Sequence, residues 1–266
     1  MHPRISLNTI SSLRWPLDDD LAMLDRLEAP HFGFPLLKIG SEIEAGIDRI
    51  RNSGRSVSCV AASTAAASLL TEEDALGVLA PAIDVADALN SPLCYFTSGT
   101  TPDGMSTDQA CEALASALPP SIDYARSKGV RLAIENNSVT NRSLGFVHTL
   151  VDTIRVCEQT GLQICLELQN CWYEQDLPRL FREHVSLFGI VQVSDFRVGE
   201  DLRLNRRVLG DGSMPLVWMI EALLEAGYEG LFDIEVIGPC IDREGPESAL
   251  RRSAEWLSER LEELGV

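Results

Sequence analysis

Short apolar runs alternate with helix-periodic segments about eight times along the chain, and no other feature limits the fold so strongly. The runs are RISLNTI (4–10), HFGFPLLKI (31–39), SVSCVAAS (56–63), LCYFT (93–97), RLAIENN (131–137), ICLELQN (164–170), IVQVSD (190–195) and GLFDIEVIG (230–238). Several are near-continuously apolar, as strands must be when both faces of their sheet are covered. Between them lie helical stretches with acidic openings and glycine stops. Thr71-Glu72-Glu73-Asp74 reads as a capped first turn, Ser41 as the cap of the helix that follows it, and Gly129, Gly161 and Gly227 as terminators. Pro119-Pro120 should break or kink the helix expected over 107–128. The pattern predicts an α/β protein, a (βα)8 TIM barrel forming one domain over residues 1–266. A doubly wound open sheet is the rival. It calls for a glycine-rich phosphate turn after the first strand, and SLNTISSLRW contains no glycine.

Charge and composition exclude several partners. The formal net charge is −18, which repels nucleic acid and anionic membranes. No apolar run approaches the roughly 18 residues of a membrane span, and MHPRISLNTI lacks the apolar core of a signal peptide. Seven cysteines without CxxC spacing suit a reducing, cytoplasmic setting without a disulfide framework.

In a barrel of this kind the chemistry sits at the C-terminal ends of the strands. There the sequence offers Asn8 from strand one, Lys38 from strand two, Ser63 and Thr64 from strand three, and Thr97 and Ser98 from strand four. Strands five to eight offer Glu135 and Asn137, Glu167 and Asn170, Gln192 and Asp195, and Glu235. A carboxylate closing an apolar run is costly to bury unless it is paired or holds an ion. Glu135, Glu167, Gln192 and Glu235 therefore form a candidate hard-oxygen metal site. It suits Mg²⁺ or Mn²⁺ better than Zn²⁺, which prefers histidine and cysteine. Lys38, Asn137, Asn170 and Arg207 are candidate substrate-binding residues, and Arg206 and Arg207 in NRRVLGDGSMP (205–215) could grip a hydroxyl-rich or anionic compound. His31, His148 and His184 fall away from the strand ends, Asp233 reads as structural, and Asp195 reads as a group fixing the loop after it.

Three stretches carry a resemblance: AIENN around Glu135, QVSD followed by the long loop with RRVLGDGSMP, and DIEV around Glu235. They resemble the sugar phosphate isomerase/epimerase superfamily, the xylose isomerase-like TIM barrels. The resemblance implies that Glu135 and Glu235 ligate a divalent metal and act as the acid/base pair beside it. It implies further ligands at Glu167 and Gln192, where the family carries aspartate and histidine, and sets Asn170 where the family often has a second histidine. It also implies a small carbohydrate-like substrate and, by analogy, a homo-oligomer.

The expected activity is that of an isomerase or epimerase. A proton is removed beside a carbonyl of a small polyhydroxylated compound, through a metal-stabilised enediolate. A lyase or dehydratase using the same proton abstraction, with or without metal, is the alternative. A barrel that binds a ligand without catalysis is a third reading, motivated by Gln192. The superfamily's abasic-site endonucleases need a histidine-rich metal cluster and a basic face, and this chain has four histidines and strong negative charge.

Overall fold

A computed structural model describes residues 1–200 and 204–266. Eight parallel strands close into a barrel in sequence order: β1 (Ile5–Asn8), β2 (His31–Pro35), β3 (Ser56–Ala61), β4 (Leu93–Phe96), β5 (Arg131–Glu135), β6 (Gln163–Glu167), β7 (Phe188–Val193) and β8 (Phe232–Ile234). The ring is sealed where β1 pairs with β8, Ser6 lying opposite Asp233. This is the predicted (βα)8 architecture. Among the described residues no helix is long and apolar enough to cross a membrane.

The apolar residues divide into two cores because strand side chains alternate in direction. The larger core lies between the strands and the surrounding helices. The smaller one fills the barrel itself with Cys59, Ala61, Leu93, Tyr95, Ala133, Cys165 and Ile190. Beside it, Asp233 accepts from Ser6 Oγ at 2.6 Å and from Asn8 Nδ2 at 2.7 Å. Gly33 must be glycine here, since a Cβ at that position meets Cys59 Sγ at 2.6 Å and Asn8 Nδ2 at 3.0 Å. All seven cysteines are free, and all but Cys240 are buried.

Several boundaries differ from the sequence pattern, each for a local reason. The second strand ends at Pro35, which lacks the N–H needed to continue a ladder, and Leu36–Ile39 turn into a 3-10 helix. Lys38 therefore leaves the sheet. The helix Ile43–Asn52 begins after Glu42 without a side-chain cap, not at Ser41. Pro119 does break the long helix, giving two helices, Thr107–Ala117 and Pro119–Ser127. The capping role of Thr71 holds, with its hydroxyl accepting from the Asp74 N–H at 3.2 Å.

Candidate active site

Inward alternation carries Glu135, Glu167, Gln192 and Glu235 to the C-terminal mouth of the barrel, all of them buried. Asn136 fixes the spacing between β5 and β6: its Oδ1 accepts from the Glu167 N–H at 2.8 Å and its Nδ2 donates to the Glu167 carbonyl at 3.0 Å. Asn170 Nδ2 donates to the Asn136 carbonyl at 2.8 Å, so the loop after β6 is tied to the end of β5.

At the centre of this mouth lies Arg206. Its Nη1 is 2.7 Å from Glu235 Oε1, 2.8 Å from the Glu235 carbonyl oxygen and 2.9 Å from Glu167 Oε2. The other oxygens are also occupied. Glu235 Oε2 accepts from Gln192 Nε2 at 2.7 Å. Glu167 Oε1 accepts from the Gln169 N–H at 3.0 Å and from Ser194 Oγ at 3.2 Å. Glu135 alone takes neither a hydrogen bond nor an ion pair through its side chain among the described residues.

These surroundings set the proton affinities. Burial, then the charges of Glu235 and Glu167, push the Glu135 carboxyl well above the usual carboxylate range against the pull of Arg206. Burial likewise raises Glu235, to about 7, with Arg206 opposing. Burial disfavours the Arg206 charge, but Glu167, Glu235 and Glu135 outweigh it and hold the guanidinium above its ordinary value.

The donor set expected to hold a divalent ion, Glu135, Glu167, Gln192 and Glu235, is here engaged by the Arg206 guanidinium, which pairs with Glu167 and Glu235. Such an ion needs several oxygen or nitrogen lone pairs converging at about 2.0–2.6 Å. Here both Glu235 oxygens and Glu167 Oε1 face donors, Glu167 Oε2 is ion-paired to Arg206 Nη1 at 2.9 Å without a hydrogen bond, and Gln192 turns an N–H toward Glu235 and leaves its Oε1 unpartnered. Among the described residues no three histidine, cysteine, aspartate or glutamate side chains are arranged to hold a metal.

Tyr95 is a site residue that the sequence did not single out. Its hydroxyl oxygen accepts from Gln192 Nε2 at 3.1 Å and from Asn8 Nδ2 at 3.3 Å. Both amides are oriented independently, Gln192 by the Glu235 carboxylate and Asn8 by Asp233 and by the Ile10 N–H at 3.0 Å. With amide hydrogens directed at its oxygen, Tyr95 keeps its own proton to donate. Burial and the nearby Glu235 raise its pKa well above the phenolic value, so that proton stays in place.

A cavity of about 400 Å³ opens over these groups. Glu135, Glu235, Arg206, Tyr95, Asn137 and Asn170 line its polar side, and Ile10, Leu13, Pro35, Leu37, Leu144 and Ile237 line an apolar side. Asn137 Oδ1 is buried without a hydrogen-bond partner. Two of the expected substrate-binding residues lie elsewhere. Lys38 Nζ is bound to the Ser12 and Trp15 carbonyls at 2.6 and 2.7 Å and to Asp20 at 2.7 Å, outside the cavity lining. Arg207 points away from the cavity and pairs with Glu200, because consecutive residues of an extended segment face opposite ways. Asp195 accepts from the N–H groups of Phe196, Gly210, Gly212 and Met214, and so holds the loop that carries Arg206.

Comparison with known proteins agrees with the fold. Among solved structures, protein SMc04130 from Sinorhizobium meliloti superposes with a TM-score of 0.81 at 17% identity, covering 98% of both chains. The zinc-bound IOLI protein gives 0.81 at 13% identity, covering 98% of this chain and 99% of its own. An L-ribulose 3-epimerase gives 0.75 at 16% identity, covering 98% and 95%. At such identities these likenesses speak for the fold alone. A search of curated proteins returns no significant match. The family model for xylose isomerase-like TIM barrels matches residues 26–260, and the chain belongs to that family.

Proposed function

We propose that the protein is an isomerase or epimerase that moves a proton beside a carbonyl group of a small hydroxylated compound, as the sugar epimerases among its structural neighbours suggest. The observation that carries this reading is the pair Glu135 and Glu235. Both carboxyls are buried, line one cavity and have raised proton affinities. A carboxylate freed of hydrogen-bond donors, as Glu135 is, makes the stronger base, and we assign it the abstraction. The C–H electron pair then moves toward the carbonyl, and charge develops on its oxygen. Tyr95 O–H and the guanidinium of Arg206 are the donors that meet it, already oriented and shielded from water. Glu235 returns a proton, to the same carbon from the opposite side in an epimerisation or to the neighbouring centre in an isomerisation. Asn137 Oδ1 accepts from a substrate hydroxyl, and the apolar side receives the carbon chain away from the reacting centre. No step requires an ion.

The test is deuterium wash-in by proton NMR, with L-ribulose, D-tagatose and D-fructose in D₂O and the protein treated with a chelator. The wild type should exchange the proton beside the carbonyl of at least one ketose. Glu135→Gln should slow that exchange on the order of 10²-fold or more. Equal exchange by the two proteins refutes the assignment.

A further inference from the structure

The barrel mouth gathers three carboxylates, and among the described residues Arg206 is the cation paired with them. That charge is covalently part of the chain. The Arg206 backbone N–H is bonded to the Ile237 carbonyl at 2.9 Å, beyond the end of β8. The next N–H, of Arg207, is bonded to the Asp195 carbonyl at 2.7 Å, beyond the end of β7. Two adjacent strands thus hold the backbone, and the side chain reaches back to Glu167 and Glu235. The guanidinium fills the space between those carboxylates, where an ion bridging them would have to sit.

Gln192 completes the arrangement. Gln192 presents its N–H to Glu235 Oε2 and leaves its Oε1, the one lone-pair donor it could offer an ion, buried without a hydrogen-bond partner. A lone-pair donor there would instead meet the carboxylate with repulsion. The glutamine and the arginine therefore work together: one turns a neutral N–H onto the Glu235 carboxylate, and the other supplies the charge that three neighbouring carboxylates require. Arg206 Nε and Nη2 take no acceptor among the described residues, and the side chain lines the cavity. It can neutralise the carboxylates through Nη1 and still hydrogen-bond a substrate oxygen through its remaining donors.

We infer that Arg206 is the resident cation of this site, in the position a bridging divalent metal would need, and that the protein neither requires nor takes up such an ion. The inference concerns what holds the strand ends together, so its test does not depend on the reaction proposed above. Chelator-stripped wild type, Arg206→Lys and the double variant Arg206→Ala/Gln192→His would be titrated with MnCl₂ and MgCl₂ by calorimetry and followed by thermal melts. The wild type and Arg206→Lys should show no saturable heat and less than about 1 °C change in Tm. The double variant, with three carboxylates and an imidazole around a vacated space, should gain saturable Mn²⁺ binding. Its Tm should rise by roughly 5–10 °C when Mn²⁺ is about 100 times its Kd. If the double variant folds only with Mn²⁺ present, that recovery supports the inference equally. Stoichiometric Mn²⁺ uptake by the wild type overturns it, and so does a folded double variant that ignores both metals. Should the double variant not fold under either condition, the wild-type titration still decides.

Discussion

Replacing Glu135 by glutamine should make the protein more stable. The native carboxyl is buried, lacks a hydrogen-bond donor and lies in the field of Glu235 and Glu167, and these raise its proton affinity well above the usual carboxylate range. A raised native pKa gives stability that is fully present below the unfolded pKa. It is lost as pH rises, until the native group ionises too. Each pH unit in that window costs about 1.4 kcal/mol. Glutamine keeps the shape without the charge but must itself bury an amide, which offsets part of the gain. A net stabilisation of about 1–2 kcal/mol near pH 7.5 remains, or roughly 2–8 °C in Tm for a chain of this size. The assay is a set of urea and thermal melts of both proteins between about pH 5 and pH 8. The curves should nearly coincide at the acid end and separate steadily toward neutrality, with the variant the more stable. A variant that is less stable at pH 7.5, or a gap that does not change with pH, refutes the electrostatic account of this residue.

Two further substitutions separate catalysis from structure. Tyr95→Phe deletes the one hydroxyl proton that Gln192 and Asn8 leave unused; it should slow proton exchange roughly 10²-fold with little change in ligand affinity, since removal of a preorganised donor acts on the transition state. Lys38→Met leaves Asp20 buried without its cation and should destabilise the fold by about 3–5 kcal/mol in denaturant melts, while the exchange rate of the remaining folded protein stays near that of the wild type.

The barrel was legible in the eightfold alternation of apolar runs with helical segments, and its row of polar strand ends in the polar groups that close those runs. Glu135, Glu167, Gln192 and Glu235 each occupy an inward position near the end of a strand, and closure brings them together. What lies off the strands was harder to read. Lys38 looked like a strand-end residue because HFGFPLLKI is apolar throughout, yet the missing N–H of Pro35 ends the ladder three residues earlier. Arg206 and Arg207 are adjacent in a polar loop without periodicity. Which of them faces inward depends on a single bridge between Asp195 and Arg207 that no local pattern encodes. Tyr95 sits within an apolar run, and its hydroxyl acquires meaning only from amides on β1 and β7. The metal expectation counted oxygens along four strands; Arg206, the cation that pairs with two of those carboxylates, comes from a loop that no strand pattern reveals.

The anchoring of that loop has an engineering consequence. The Asp195 carboxylate, through the N–H groups of Phe196, Gly210, Gly212 and Met214, and the backbone bonds of Arg206 and Arg207 fix the aim of the guanidinium. Leu204, two residues before Arg206, lines the cavity and can then be exchanged while the charge stays aimed into the barrel mouth, which makes it a natural position for altering what the cavity admits.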